Sequence, residues 1–475
     1  MKILSNMKVL IIAPRYKPFG LFYELPLGLA YISAYLKSKG VTTILYNMNE
    51  RRDDNIMQEE MRGADIICFG GLSVHYRAIR DLTNMARRHN PNAKIIIGGG
   101  LLSADPDLAM SLLRPDVGII GEGEEATYEA VMNMPEKGAV VQAETIKDLD
   151  SLPFPDYEGL NVRAYLDRQI AGDEHYLYPF DNPRCLPVIS SRSCPHNCSF
   201  CFHPLGKVYR QRSLDNYFTE VELLIERYQI NMVAVLDELI SVFPERINQF
   251  CQRIKKYNLK WMTQMRVDSV NEDTLAMLKD AGCVQISYGI EHINQEVLDS
   301  YNKRTTPELI EKALEMTYGA GVGIQGNMLL GGPKETPATV QQVLDWRHKN
   351  LKYHINITPI IAYPGTDLYS YGKSCGKING RDFIEQGCPY INFNNAPVNF
   401  PVEFIYSDKI DIKPLGIDPH RGQLYSVDTI CPHCKQAQEY NNLFWAGTAL
   451  SFTQGKAYRI ACRNCNARFD MRIFG

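Results

Sequence analysis

Three cysteines that stand close together in the chain are the first residues whose types and spacing could do chemistry. Cys194, Cys198 and Cys201 lie within eight residues and follow a short apolar run. A closed tetrahedral zinc site takes four ligands, so three thiolates are one too few. A cubane iron-sulfur cluster can be held by three thiolates, which leaves its fourth iron open to another ligand. The spacing therefore favours such a cluster over buried core thiols or a zinc site completed by His196 or His203.

Length, composition and charge narrow the class of protein. A chain of 475 residues is too long for one ordinary core, and the usual length of about 150 residues per domain predicts about three domains. Its content of 45% hydrophobic and 22% charged residues is typical of a soluble globular protein. The formal net charge of -3 argues against nucleic acid as a partner.

The distribution of apolar residues predicts a cytoplasmic protein. No run approaches the roughly 20 apolar residues that a membrane span needs, and the apolar run that ends at Pro14 is too short for a signal peptide. In a reducing cytoplasm, clustered cysteines indicate metal binding or catalysis rather than disulfides. The 13 cysteines are interpreted in this way.

Residues 1–145 predict a doubly wound parallel sheet of the Rossmann type. Short apolar runs alternate with amphipathic stretches, as in buried parallel strands joined by helices. Glycines and polar residues follow several of these runs, where ligands of such sheets bind: Ser73, Gly98, Gly99, Gly121, Glu122, Gly123 and Glu124. The chain has neither a Gly-x-Gly-x-x-Gly motif opening the first helix nor a P-loop, so a dinucleotide or P-loop nucleotide is not indicated.

After a proline-rich linker at residues 146–185, residues 186–375 repeat the alternation and predict a (β/α)6 partial TIM barrel. Chemistry is expected at the carboxyl ends of its six strands. The residues at those ends that could bind a ligand are Asp237, Glu238, Arg266, Glu291, Gly331, Gly332 and Pro333. Helix capping and solvation are the alternative roles for each of them.

Two further cysteine pairs lie in the tail. Periodicity fades through residues 376–420, which are left as an unassigned connector. Residues 421–475 then carry two Cys-x2-Cys knuckles, Cys431 with Cys434 and Cys462 with Cys465. Four thiolates from two knuckles predict a small zinc-ribbon-like domain. An auxiliary iron-sulfur cluster is the alternative.

The first cysteine loop resembles the cluster loop of the radical S-adenosylmethionine (SAM) superfamily, with Phe200 before its last cysteine. The resemblance implies a 4Fe-4S cluster on Cys194, Cys198 and Cys201, with SAM bound at the open iron. It also implies that Asp237 or Glu238 accepts hydrogen bonds from the SAM amino group. The remaining strand-end residues would complete the SAM site: Arg266 towards the carboxylate, Gly331, Gly332 and Pro333 towards adenine, and Glu291.

The first domain resembles the cobalamin-binding domain that precedes many radical SAM domains. The resemblance rests on Pro26-Leu-Gly-Leu-Ala-Tyr, Gly71-Leu-Ser73, Gly98-Gly-Gly and Gly121-Glu-Gly-Glu. It implies that the strand-end residues of this domain bind cobalamin. The Asp-x-His-x-x-Gly motif that supplies an axial histidine elsewhere is absent, which implies cobalamin without a histidine on its lower face, or a domain that has lost the cofactor.

Together the motifs resemble the class B methyltransferase-like branch, related to the anaerobic magnesium-protoporphyrin cyclases. The resemblance implies methylation of an unactivated carbon of a small-molecule substrate, with electrons from a flavodoxin or ferredoxin type of donor. Cyclisation, oxidation or rearrangement with the same cofactors is the first alternative. An RNA-directed or other macromolecule-directed enzyme that docks through the ribbon is the second, and its only hint is a group of basic tail residues: Lys435, Lys456, Arg459, Arg463, Arg468 and Arg472.

Overall fold

The computed structural model describes residues 7–15, 24–51, 53–171, 178–395, 405–407, 409–418, 422–444 and 458–471. Two of the basic tail residues, Lys456 and Arg472, lie outside these ranges. Within the described residues, no helix combines the length and the hydropathy that a membrane crossing requires.

The first sheet has six parallel strands, with helices on both faces. Its strands are β1 (Lys8–Ala13), β2 (Thr42–Asn47), β3 (Ile66–Gly70), β4 (Lys94–Gly98), β5 (Val117–Ile120) and β6 (Ala139–Gln142). Its helices are α1 (Leu27–Ser38), α2 (Asp54–Arg62), α3 (Tyr76–His89), α4 (Gly100–Ala104), α5 (Pro106–Leu113) and α6 (Gly123–Asn133). The spatial order β2-β1-β3-β4-β5-β6 reverses direction at β1. The predicted doubly wound sheet is confirmed.

Both faces of this sheet are buried, which explains its apolar runs. In β1, Val9 and Ile11 pack into one core cluster, whereas Leu10 and Ile12 pack into another. The first cluster continues into barrel residues such as Val233 and Trp261. The two α/β units therefore share a core.

The second sheet forms the partial barrel. Its six parallel strands are β7 (Cys185–Val188), β10 (Met232–Val235), β11 (Lys260–Met265), β12 (Cys283–Glu291), β13 (Gly323–Leu330) and β14 (His354–Pro359), and the short pair β8 (Ser191–Arg192) and β9 (Arg210–Gln211) follows β7. After α7 (Val162–Asp167), the helices are α8 (Leu214–Tyr228), α9 (Pro244–Ile254), α10 (Glu272–Asp280), α11 (Gln295–Ser300), α12 (Pro307–Gly319), α13 (Pro337–Lys349), α14 (Asp367–Ser374) and α15 (Gly380–Glu385). The strands lie in the order β7-β10-β11-β12-β13-β14, which confirms the predicted (β/α)6 architecture.

Side-chain N-caps mark where several barrel helices begin. The side chain of the residue before the helix accepts a hydrogen bond from an amide of the first turn, which satisfies a donor that has no partner inside the helix. This is the case for α8, α10, α11, α12, α13 and α14, with the caps Ser213, Asn271, Asn294, Thr306, Thr336 and Thr366.

The tail adds two antiparallel units. One is a sheet of β15 (Ile410–Asp418), β16 (Gly422–Ile430) and β17 (Ala437–Phe444), and the other is the hairpin of β18 (Tyr458–Ala461) and β19 (Arg468–Met471). The sequence predicts no element at β15, which lies in the unassigned connector. Its exposed side chains include Leu415 and Ile417, so this edge strand lacks the alternation that reveals a half-buried strand.

Candidate functional site

The three-cysteine loop lies at the carboxyl end of β7, at the mouth of the barrel. The β8–β9 pair, in which Arg192 lies opposite Arg210, ties the two ends of the loop together. Cys198 is 9% exposed, Cys194 is half-buried and Cys201 is exposed. All three are free thiols on one short loop, and three thiolates are the donor set of a cubane cluster with one open iron.

Neighbouring segments hold this loop in place. The amide of Ser199 donates to the Tyr301 carbonyl at 2.9 Å, and its carbonyl accepts from the Leu368 amide at 2.9 Å. Phe200 packs edge-to-face on Tyr301 with 5.4 Å between ring centroids. A Cβ at Gly100 or Gly365 would lie 2.9 Å from the Phe202 ring, and Gly100 belongs to the first domain.

Positive side chains surround the thiols. Lys303 pairs with Glu291 at 2.9 Å, and Arg266 pairs with Asp268 at 2.7 Å. The pKa of Cys198 is lowered to about 6 by a hydrogen bond from Cys201 and by the charges of Lys303 and Arg266, against the effect of burial. The environment thus favours the thiolate of Cys198, the form that binds a metal, whereas burial raises the pKa of Cys194 and the hydrogen bond with Cys198 raises that of Cys201.

The two acidic residues after β10 lie in different environments. Asp237 is fully buried, and its carboxylate accepts four hydrogen bonds of 2.5–3.0 Å from the amides and hydroxyls of Ser190 and Ser191. Burial raises the pKa of Asp237, and these hydrogen bonds oppose the rise. The Glu238 side chain is 40% exposed and lines the cavity described below. Asp237 therefore fixes the approach to the cysteine loop, whereas Glu238, which lies 3.7 Å from His203 Nδ1, has a side chain that a ligand in the cavity can reach.

The other residues predicted to bind SAM already form ion pairs or close contacts with other residues of the chain. Arg266 faces Asp268, and Glu291 faces Lys303, so both are partners within the protein. The other three form the Gly331-Gly332-Pro333 segment, which is covered. A Cβ at Gly331 would meet the Ile391 carbonyl at 2.4 Å, one at Gly332 would meet Tyr301, and Asn394 donates to the Pro333 carbonyl at 2.5 Å. Gly331 and Gly332 are buried and Pro333 is half-buried, and the role of this segment towards adenine stays a prediction.

A cavity of about 780 Å³ joins the two α/β units. The carboxyl edge of the first sheet contributes six of the predicted residues: Gly98, Gly99, Gly121, Glu122, Gly123 and Glu124. The barrel contributes Ile189, Ser191, Arg192, Leu205, Leu236 and Glu238. Ser73 does not line the cavity and is 3% exposed.

Glycine is required where two loops of this edge meet. Gly99 has φ of 80°, and a Cβ there would lie 3.0 Å from backbone atoms of Gly71. His75 also lines the cavity, and its Nδ1 accepts from the Leu72 amide at 3.1 Å. Burial lowers the pKa of His75 to about 4, so its ring is neutral at pH 7. No sequence motif signalled this histidine.

Buried ion pairs connect the cavity wall with the cysteine loop. Arg192 donates to Glu122 at 3.0 Å and to Glu124 at 2.6 Å, and Arg210 donates to Glu122 at 2.7 Å. Burial alone would raise the pKa of Glu122, but Arg210, Arg192 and the Ile146 amide lower it. These two glutamates therefore hold the loop-flanking arginines, a role that the sequence did not indicate.

A second buried pair lies behind the barrel mouth. His292 and Glu335 are 0% and 1% exposed, and His292 Nε2 lies 3.4 Å from Glu335 Oε1. The Asn294 amide donates to His292 Nδ1, and the Gly331 amide donates to Glu335 Oε2. Burial raises the pKa of Glu335 to about 7.

Comparisons with known families agree with this arrangement. Residues 188–347 match the Radical SAM superfamily, and residues 21–131 match the B12 binding domain. The chain is a radical SAM enzyme with a B12-binding domain. These matches support a 4Fe-4S cluster, SAM and cobalamin as its cofactors.

Relatives and solved structures of the superfamily are similar over most of the chain. An uncharacterized methyltransferase of Pyrococcus horikoshii is 25% identical over 73% of this chain and 78% of its own length. The anaerobic magnesium-protoporphyrin IX monomethyl ester cyclase of Rubrivivax gelatinosus is 26% identical over 76% of this chain and 69% of its own. The radical SAM methyltransferase TsrM of Kitasatospora setae, solved with tryptophan and a SAM analogue, has 18% identity and a TM-score of 0.62, covering 79% of this chain and 77% of its own. The fold of this radical SAM enzyme is thus that of a solved member.

Asp237 and Glu238 make a matched pair of tests. We expect Asp237→Asn to lower the melting temperature and the iron content after reconstitution, because an amide cannot accept all four hydrogen bonds. Glu238→Gln should leave both near wild type and weaken SAM binding about tenfold, the effect of losing one charge-assisted hydrogen bond. Melting curves, iron analysis and equilibrium dialysis with SAM check this. A stable Asp237→Asn protein that fails to bind SAM would contradict the assignment.

Replacing Arg192 tests the buried ion pairs. Arg192→Met leaves Glu124 buried without its partner, so we expect a loss of about 3–5 kcal/mol in stability, measured by denaturant unfolding of the full chain. Arg381→Met is the control, because Arg381 is 62% exposed and its pair with Glu385 should contribute less than about 1 kcal/mol. Equal effects of the two changes would show that the Arg192 pairs do not bind the units together.

Glu335 should make stability depend on pH. Its folded pKa of about 7 lies above the ordinary 4.5 of an unfolded glutamate, so the folded state loses stability as pH rises through this interval and no further above it. The melting temperature of Glu335→Gln should therefore rise relative to wild type between pH 5 and pH 7.5. The exposed Glu296→Gln is the control. A difference that stays constant with pH would refute the prediction.

Proposed function

We propose that this enzyme is a cobalamin-dependent radical SAM methyltransferase that acts on an unactivated carbon of a small-molecule substrate. The observation that carries the proposal is the shared cavity, in which the carboxyl edge of the B12-binding domain faces the barrel mouth beside the cysteine loop. A substrate held there lies between the two sites from which a radical and a methyl group must come.

Different residues of the chain would bind the cluster, SAM and cobalamin. The cluster would be held by Cys194, Cys198 and Cys201, and SAM would lie beside Glu238, which would accept from its amino group. Cobalamin would lie on the glycine-lined edge of the first sheet. When bound, the cluster and SAM supply the radical that removes a hydrogen atom, and cobalamin supplies the methyl group. The surrounding apolar walls exclude water.

The overall reaction fixes which products to measure. One substrate, two molecules of SAM and two electrons give the methylated product, S-adenosylhomocysteine, 5'-deoxyadenosine and methionine. The electrons come from an external donor, for which a flavodoxin or ferredoxin is the expected class. The tryptophan in TsrM supports a small-molecule acceptor.

The tail cysteines fit zinc better than a second cluster. Cys431 Sγ lies 3.9 Å from Cys465 Sγ, and Cys434 Sγ lies 3.5 Å from Cys462 Sγ. All four sulfurs lie within 4.8 Å of one another. Four zinc bonds of about 2.3 Å in a tetrahedron place the sulfurs about 3.8 Å apart. A four-iron cluster, which binds each cysteine at a different iron, needs a wider set.

The proposal is tested on anaerobically reconstituted protein. We expect about four irons, one zinc and retained cobalamin per chain, and S-adenosylhomocysteine with 5'-deoxyadenosine once a substrate is supplied. Cys198→Ala should lose most of the iron and the deoxyadenosine, whereas the exposed Cys375→Ser should lose neither. Deoxyadenosine without S-adenosylhomocysteine would instead indicate cyclisation or rearrangement as the reaction. Iron without retained cobalamin would overturn the methyl-transfer proposal.

A further inference from the structure

The ribbon cysteines lie at the end of the barrel opposite to the cluster loop. Ala461, the last residue of β18, packs in one buried cluster with Cys185, Met232 and Met262. Cys185 and Met232 begin β7 and β10, and Met262 lies near the start of β11. The hairpin therefore meets the amino ends of the barrel strands.

The contact is on the inside of the barrel. Val233 and Trp261, which alternate with Met232 and Met262 along the strands, pack into the core shared with the helices, and successive strand residues point to opposite faces. Leu236 packs against the same inner cluster and also lines the cavity at the other end. One packed layer thus joins the hairpin to the cavity.

Polar contacts also join the tail to the remaining barrel strands, β12, β13 and β14. Arg468 of β19 donates to the Gln285 side chain of β12 at 2.7 Å, and both residues are buried. Arg468 also lies 3.5 Å from His354, the first residue of β14. Asn466 donates to the carbonyl of Gly321, just before β13, at 2.6 Å.

A second set of contacts anchors the ribbon beside β7. Asp181 accepts from the Asn441 amide at 2.7 Å and from the Arg463 guanidinium at 2.5 Å. Asn442 donates to Asn182 at 3.0 Å. The described tail therefore contacts the amino ends of β7 and β10 to β14.

The metal site holds these contacts in one arrangement. The hairpin β18–β19 has only four residues in each strand, and an isolated hairpin of this size is marginally stable in water. Its knuckle carries Cys462 and Cys465, which meet the cysteines of the other knuckle. His433 of that knuckle contacts the Arg468 carbonyl at 3.0 Å. A metal bridging the knuckles fixes the hairpin at the position where Ala461 and Arg468 reach the barrel.

We propose that the ribbon is a zinc-held floor of the barrel, which closes the interior at its amino end. Substrate then enters from the opposite end, through the cavity shared with the B12-binding domain. The floor also keeps water from the interior, where a reactive radical would be lost. The described ribbon residues therefore lie at the end of the barrel opposite to the cluster loop.

Alkylation of Cys185 reports on the floor. Cys185 is 1% exposed in the layer beneath Ala461, and Cys251 is 2% exposed on α9 outside that layer, where it serves as an internal reference. In full-length reconstituted protein treated with N-ethylmaleimide, peptide mass spectrometry gives the labelling rate at each thiol. We expect the Cys434→Ser/Cys465→Ser protein to lose its zinc and to label Cys185 at least tenfold faster, with Cys251 unchanged. Cys375→Ser is the matched control.

A second variant keeps the test decisive if loss of zinc unfolds the whole chain. Ala461→Glu retains all four cysteines but places a charge in the apolar layer, so zinc should remain bound while Cys185 labelling rises. Unchanged Cys185 protection in this variant, or zinc loss without faster Cys185 labelling, would overturn the proposal. Neither result depends on methyl transfer, so the proposed function is tested separately.

Discussion

The site depends on the buried contact of Arg192 and Arg210 with Glu122 and Glu124. The arginines flank the cysteine loop, and the glutamates lie just after the fifth strand of the B12-binding domain, Glu122 before α6 and Glu124 in its first turn. Each side chain is at most 10% exposed. If this contact moved, the two cofactor sites would move relative to each other, and the cavity between them would change shape.

Burying these charged side chains costs free energy, and this cost indicates that the contact does more than stabilise the interface. Burying charged groups carries a desolvation penalty that the attraction between them only partly offsets, so apolar residues of the same size could stabilise the interface equally well. Unlike apolar residues, the charged groups also define how the arginines are oriented. A guanidinium that donates to two carboxylates has one preferred orientation, and Arg192 also lies 5.1 Å from the ring centre of Tyr31. The interface therefore holds the loop in one position rather than merely attaching it.

Much of the architecture could be predicted because buried parallel strands are continuous apolar runs and clustered cysteines have few other roles. The individual contacts could not be predicted from the sequence. Arg192 and Glu122 are 70 residues apart, and no local pattern links them. Asp237 and Glu238 are neighbours in the loop after β10, so the conformation of that loop decides which one is buried against Ser190 and Ser191. His75 reaches the cavity through a loop conformation that no motif encodes.

The position of the tail follows from the way the two α/β units share a cavity. Parallel sheets offer ligand sites at their carboxyl edges, so two such units can share a chamber only if those edges face each other. This arrangement leaves the amino ends of the barrel strands, Met232 and Met262 among them, outside the shared chamber. A six-stranded partial barrel does not close its own interior with layers of side chains as a complete eight-stranded barrel does. Its amino end therefore needs a cover from elsewhere in the chain, and the tail hairpin, with Ala461 and Arg468, lies where that cover is required.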